Sequence, residues 1–144
     1  MKRQLTLKHQ FVEYIPDAPE DGTIYVSIPF ATAIHKCCCG CGNQVVTPLS
    51  PTDWKLVFDG VSVSLDPSIG NWSFPCQSHY WIKRNTVTWA PRWSSKEIEQ
   101  GRAKDRRVKS EYFDASARKT QDQPSGLVRE SIWQKIKRKL AGSN

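Results

Sequence analysis

Five cysteines and three histidines supply the metal-ligating side chains of this chain, and their spacing is uneven. Cys37, Cys38, Cys39 and Cys41 crowd into five positions, His35 stands two residues before them, and only Cys76 lies elsewhere. An odd number of cysteines packed this way makes a poor disulfide framework, because neighbours in sequence cannot each find a separate, well-oriented partner. The same crowding suits a metal ion. Zinc takes four sulfur or nitrogen ligands in a tetrahedron. His35, Cys37, Cys39 and Cys41 fall at alternate positions, which on a flat strand would set them about 6.6 Å apart per step. Gly40 and Gly42 allow the bend that brings them round one ion, since glycine accepts φ > 0. Cys37, Cys39, Cys41 and Cys76 form the preferred ligand set, with His35 and His79 left free. Cys38 then points away, although a Cys38-x-x-Cys41 knuckle is also geometrically allowed. A closed, thiolate-rich site of this kind cross-links the chain, and zinc held so is a weak Lewis acid.

The second reactive stretch is LDPSIGNWSFPCQSHYWI, residues 65–82. Ser68 follows a proline and precedes Ile69-Gly70-Asn71-Trp72. A loop at Gly70 and Asn71 would leave backbone N–H groups open beside the hydroxyl, as a nucleophile with an oxyanion hole requires. His79, eleven residues on, is the candidate general base, and His35 competes for that role. Asp66 is a candidate to orient the imidazole. The plainer alternative makes PSIGNW an ordinary tight turn with Ser68 bonding backbone groups. Ser78 is a second hydroxyl, less suited because it adjoins a strand.

The elements that must position these residues read as short strands. GTIYVSI (22–28), ATAIHK (31–36) and NQVVTPL (43–49) are rich in β-branched residues and bounded by turn signals. WKLVFDGVSVSL (54–65) carries Asp59-Gly60 between two alternating runs, a hairpin signal. HYWIKRNTVTWA (79–90) repeats the design around Arg84-Asn85. Six or seven strands result, with hardly any helix before position 91. The expected fold class is mainly β: a small antiparallel sheet domain with one zinc site over residues 1–91, followed by a helical, basic C-terminal extension over 92–144. In that extension SSKEIEQ opens a helix with a Ser-to-Glu cap, residues 115–126 read as a linker, and Val128, Ile132, Ile136 and Leu140 form the apolar stripe of a basic amphipathic helix.

Charge divides the chain at the same place. Residues 1–91 carry seven Lys/Arg against seven Asp/Glu; residues 92–144 carry fourteen against seven, which is the whole net charge of +7. Net charge therefore gives no ground for reading the first 91 residues as a nucleic-acid-binding domain, and contact with nucleic acid or a membrane surface falls to the basic tail. The start, MKRQLTLKHQ, lacks the apolar stretch of a signal peptide, and no run approaches the eighteen apolar residues of a membrane span. A cytoplasmic location is expected.

FVEYIP, GTIYVS, the His-x-Cys-x-Cys-Gly-Cys-Gly element at 35–42, VVTPLSPTDW, SLDPSIGNW, and Cys-x-Ser-His-Tyr-Trp-Ile at 76–82 followed by VTWA occur together. Over about residues 9–91 this pattern resembles a bacterial family of formerly unknown function, encoded beside ubiquitin-like proteins and beside enzymes similar to ubiquitin-activating and ubiquitin-conjugating enzymes. The resemblance implies a peptidase that processes the ubiquitin-like modifier or removes it from its conjugates, using a serine. It implies those proteins as partners, and zinc as the cofactor. His35, the CxCGC cluster, Ser68, Cys76 and His79 fall on the family's motif positions. Ser68 would then attack the carbonyl at the modifier's C-terminal end, with His79 or His35 taking its proton. Two other functions fit the residues. One is a zinc-dependent hydrolase with His35 and His79 as ligands and a metal-bound water as nucleophile; the other is a non-enzymatic zinc module that binds protein or nucleic acid.

Overall fold

A computed structural model describes residues 3–121 of the chain. The predicted amphipathic helix with Val128, Ile132, Ile136 and Leu140 lies outside the described residues. Among the described residues, eight strands precede one helix. The first sheet holds β1 (Lys8–Phe11), β2 (Thr23–Ser27), β3 (Thr32–Lys36) and β4 (Gln44–Pro48) in chain order. The second holds β5 (Lys55–Phe58), β6 (Val63–Gly70), β7 (His79–Lys83) and β8 (Thr86–Trp89), again in chain order. All neighbours run antiparallel except β1 and β2, which are parallel. That exception follows from the long segment between them, which carries the chain back to the starting end of the sheet.

Alternation builds the core. β4 buries Val45 and Thr47 and exposes Gln44, Val46 and Pro48, while β2 is buried along its whole length. Ile24, Val26, Ala33 and Val45 from the first sheet share one apolar cluster with Val63, Leu65, Ile69, Tyr80, Ile82 and Val87 from the second. Two single bridges, Thr6 to Thr86 and Leu49 to Trp54, tie the sheets together at their margins.

Both expected hairpins form. Arg84 and Asn85 have φ of 47° and 60°, the pair of left-handed residues that a two-residue turn needs to match strand twist. Asn85 also accepts a 2.7 Å hydrogen bond from the Val63 amide, which joins this turn to β6. At the other hairpin, Asp59 Oδ1 accepts from the amides of Val61 and Ser62 at 2.9 and 2.6 Å, and Gly60 has φ of 96°.

Helix α1 (Ser95–Gln121) starts where the sequence signals it. Glu97 Oε2 accepts from the Ser94 amide and hydroxyl at 2.7 and 2.8 Å, and Ser94 Oγ accepts from the Glu97 amide at 3.3 Å. This is the reciprocal cap of a Ser-x-x-Glu start. The helix runs through residues 115–121, the first part of the 115–126 stretch whose composition read as linker; Ala115, Ala117, Arg118, Lys119 and Gln121 are good helix formers. The chain divides into two compact units, up to Val108 and from Lys109 onward. In the first, Ile98 is buried. Of the second, residues 109–121 are described, and they are helical. Among the described residues no helix is long and apolar enough to cross a membrane.

Candidate active site and thiol cluster

Ser68 and Gly70 lie on β6 itself, so the expected nucleophile loop is a strand up to Gly70, and so are the first four residues of PSIGNW, the tight turn that was its alternative. The strand is irregular where it matters. Leu65 pairs with Ile82 and Ile69 with Tyr80, so four steps along β6 face two along β7. The three residues Asp66-Pro67-Ser68 thus face Trp81 alone and form a bulge, and a bulge re-aims the side chains within it. Gly70 stands opposite His79. Ser68 therefore sits one place diagonally from the histidine, and its Oγ meets His79 Nε2 at 2.9 Å.

The other ring nitrogen fixes the proton. His79 Nδ1 lies 2.7 Å from the backbone carbonyl of Pro91. A carbonyl only accepts, so Nδ1 carries the hydrogen and Nε2 presents its lone pair to the serine hydroxyl. The orienting group is thus a main-chain oxygen, not Asp66, which is solvent-exposed. Three tryptophans surround the ring. Trp72 and Trp93 meet it edge-on with centroids 5.0 and 5.3 Å away, Trp81 lies at 5.9 Å, and Trp72 and Trp93 stack on each other at 5.3 Å. His79 is only 6% exposed as a result.

Gly70 works by absence of a side chain. A Cβ there would lie 2.5 Å from Trp72 Cε2 and nearer still to Nε1, so the indole occupies the space that any other residue would fill. Asn71 is not placed as an oxyanion donor. Its amide donates to the Ser78 carbonyl at 2.8 Å, and its side-chain Nδ2 donates to Ser78 Oγ at 2.9 Å and Tyr80 Oη at 3.4 Å.

His35 is nowhere exposed. Its Nε2 shares a 2.7 Å hydrogen bond with Tyr80 Oη, and burial holds its pKa down to about 4. Burial likewise pushes the Tyr80 phenol well above its ordinary value. Of the two histidines weighed as base, His79 is the one in contact with Ser68.

The sulfurs of Cys37, Cys39, Cys41 and Cys76 all lie within 4.8 Å of one another. Individual separations are 3.4 Å for Cys37–Cys39 and 3.9 Å for both Cys37–Cys76 and Cys41–Cys76. A tetrahedral ion with metal–sulfur bonds of about 2.3 Å sets its sulfurs about 3.8 Å apart, so the four thiols fit one ion. Neither His35 nor His79 belongs to this group, which corrects the arrangement with histidine ligands. Gly40 and Gly42, with φ of 88° and 84°, make the expected bend. Cys38 stands apart, fully buried, its thiol pushed up to about 12 by that burial. The sulfurs also receive hydrogen bonds: Asn43 Nδ2 donates to Cys41 at 3.3 Å, and Ser78 Oγ lies 3.0 Å from Cys37. Burial opposes ionisation at Cys41, but hydrogen bonds from the Asn43 backbone, Cys39 and the Asn43 side chain bring it down to about 7.

The cluster and the histidine are neighbours in the chain. Cys76 and Ser78 deliver the start of β7, and His79 is its first residue. Sequence reasoning singled out Ser68 and His79, which the structure brings into contact, and the four thiols, which it gathers into one group, but not Pro91 and Trp93. A carbonyl carries no side-chain signal, and Trp93 lies beyond the position where the charge pattern changes.

No curated protein and no solved structure matches the chain. Residues 11–90 match the family described as "Bacterial ubiquitination-like system serine protease (BubE)". The matched span holds Ser68, His79 and all four clustered thiols and covers more than half of the chain, which therefore belongs to that family of bacterial ubiquitination-like system serine proteases.

Proposed function

We propose that this chain is a serine peptidase that cuts at the C-terminal end of a ubiquitin-like modifier, either maturing it or releasing it from conjugates. The observation that carries the reading is the 2.9 Å contact between Ser68 Oγ and His79 Nε2, with His79 Nδ1 engaged by the Pro91 carbonyl. Ser68 Oγ attacks the carbonyl carbon of the scissile bond while its proton moves to Nε2. The same proton then passes to the departing amine as the C–N bond breaks. Water, deprotonated by Nε2, attacks the acyl-serine, and the serine recovers its hydrogen as the carboxylate leaves.

Zinc held by Cys37, Cys39, Cys41 and Cys76 would supply a cross-link with no open position, which is structural rather than catalytic. Its effect on the reaction would pass through Cys76 and Ser78 to the placement of His79. A displacement of about 1 Å between base and nucleophile costs on the order of a hundredfold in rate.

The test is cleavage of a ubiquitin-like protein from the same pathway, extended at its C-terminus by a short peptide. Wild-type chain should release the extension. Ser68→Ala should lower the rate by about a thousandfold or more while keeping its metal content. Full cleavage by Ser68→Ala would overturn the reading.

A further inference from the structure

β6 is longer than the strand beside it. β5 pairs with β6 from Phe58 opposite Val63 to Lys55 opposite Asp66 and then leaves the sheet, Trp54 bridging instead to Leu49. β6 continues to Gly70. Among the described residues its last part thus has a ladder partner, β7, on one side only. In an antiparallel pair, hydrogen-bonded and non-hydrogen-bonded positions alternate. Asn71 donates across to Ser78, so Gly70 opposite His79 is the non-bonded position. The N–H and C=O of Gly70 therefore point away from β7, toward the side that β5 does not reach.

That side is hollowed. One cleft of about 320 Å³ is lined by Val45, Val46, Trp54, Ile69 and Gly70 among others. A second, of about 670 Å³, is lined by Leu49, Pro51, Trp54, Lys55 and Pro67 among others. Trp54 walls both. Along β6 the first opens just after Ser68 and the second just before it, so the two hollows flank the serine on either side.

We propose that the polypeptide substrate is held as an added strand on this free edge of β6, its main chain pairing with Gly70 and the residues on either side of the scissile bond resting in the two hollows. The inference rests on the serine reading of the site. An edge of this kind selects by backbone: it takes any segment that can lie extended and offer N–H and C=O groups in strand register, and it rejects helices and folded loops. The occupant is therefore a flexible terminal segment of a protein, not the face of a folded domain. Exposed edges invite stray pairing and are ordinarily kept short; this one is a few residues long and lies against the hydroxyl.

Activated esters separate backbone recognition from the chemical step. The full chain would be assayed with 4-nitrophenyl acetate, with the 4-nitrophenyl ester of acetyl-tri-alanine, and with versions of that ester N-methylated at one alanine at a time. The peptide ester should exceed the acetate in kcat/KM by at least about tenfold, and N-methylation at one or more positions should remove at least about tenfold, because a lost N–H breaks the ladder without changing the side chain. If Ser68→Ala stops hydrolysis of both esters but N-methylation changes nothing, or the peptide ester reacts no faster than acetate, added-strand binding is wrong and the serine reading stands. If Ser68→Ala hydrolyses both like the wild type, or the wild type hydrolyses none of the esters, the serine reading fails and this inference with it.

Discussion

The His79 imidazole has one proton to place and two neighbours competing for it. The Pro91 carbonyl takes the N–H, and Ser68 is left with the lone pair. A neutral carbonyl orients the ring as a carboxylate would, but would bring only a dipole to the imidazolium of the proposed reaction. The residue scale therefore separates two roles that the sequence could not. Asp66→Asn should change turnover by less than about threefold, because a backbone oxygen already fixes the tautomer; Asp66 would be an orienting group after all if the loss approached the roughly ten-thousandfold seen when a triad aspartate is removed. In sequence Ser68 and His79 stood out only as a hydroxyl two residues before a glycine and an imidazole eleven residues on, a pattern that an ordinary turn fits as well; their contact across the ladder leaves no local mark. Asn71 was misread for a physical reason: an amide next to a glycine looks open in sequence, but here it bonds to Ser78 across the ladder.

Two glycines act at the scale of elements, each by leaving room for a tryptophan. A Cβ on Gly70 would overlap the Trp72 indole. Gly70→Ala should displace that ring from His79, lowering turnover by at least about tenfold and stability by about 1–3 kcal/mol in a denaturant titration. Gly101, in α1, would set a Cβ 2.8 Å from Trp93 Cζ3. Alanine there gains about 1 kcal/mol of helix propensity, and the displaced ring costs a similar amount. Gly101→Ala should hence leave Tm nearly unchanged while turnover falls, which calorimetry and an ester assay on the same sample would show. Nothing local in the sequence reveals that Trp93 lies against Gly101.

The hairpin at Asp59 responds to pH. Hydrogen bonds from the Ser62 side chain and from the Val61 and Ser62 amides lower its pKa from 3.8 to about 2. The charged form is favoured by folding, so its contribution is complete above 3.8 and fades as pH falls toward about 2. Asp59→Asn should flatten the pH dependence of Tm across that window and lower Tm at neutral pH, where the wild-type charge contributes in full; an unchanged slope would show that the turn does not feel the charge.

For the whole molecule, the thiol cluster joins the end of β3 and the turn after it to the segment that delivers β7. The strands, both hairpins and the helix start were legible from alternation, turn residues and the Ser-x-x-Glu cap. The parallel pairing of β1 with β2 was not, since a lone extended segment carries no mark of its partner. Chelation at neutral pH should release one metal per chain and lower Tm by at least about 10 °C, and Cys76→Ser should do the same without chelator. A metal-free chain with unaltered Tm would remove the cross-link from the account.

The central claim is that His79 activates Ser68. Mass spectrometry after reaction with a fluorophosphonate, which traps nucleophilic serines, tests it directly. The wild-type chain should carry one adduct, on Ser68, and His79→Ala should form it at least about a hundredfold more slowly with the metal still bound. An adduct on another residue, or equal labelling of Ser68 without the imidazole, would contradict the claim.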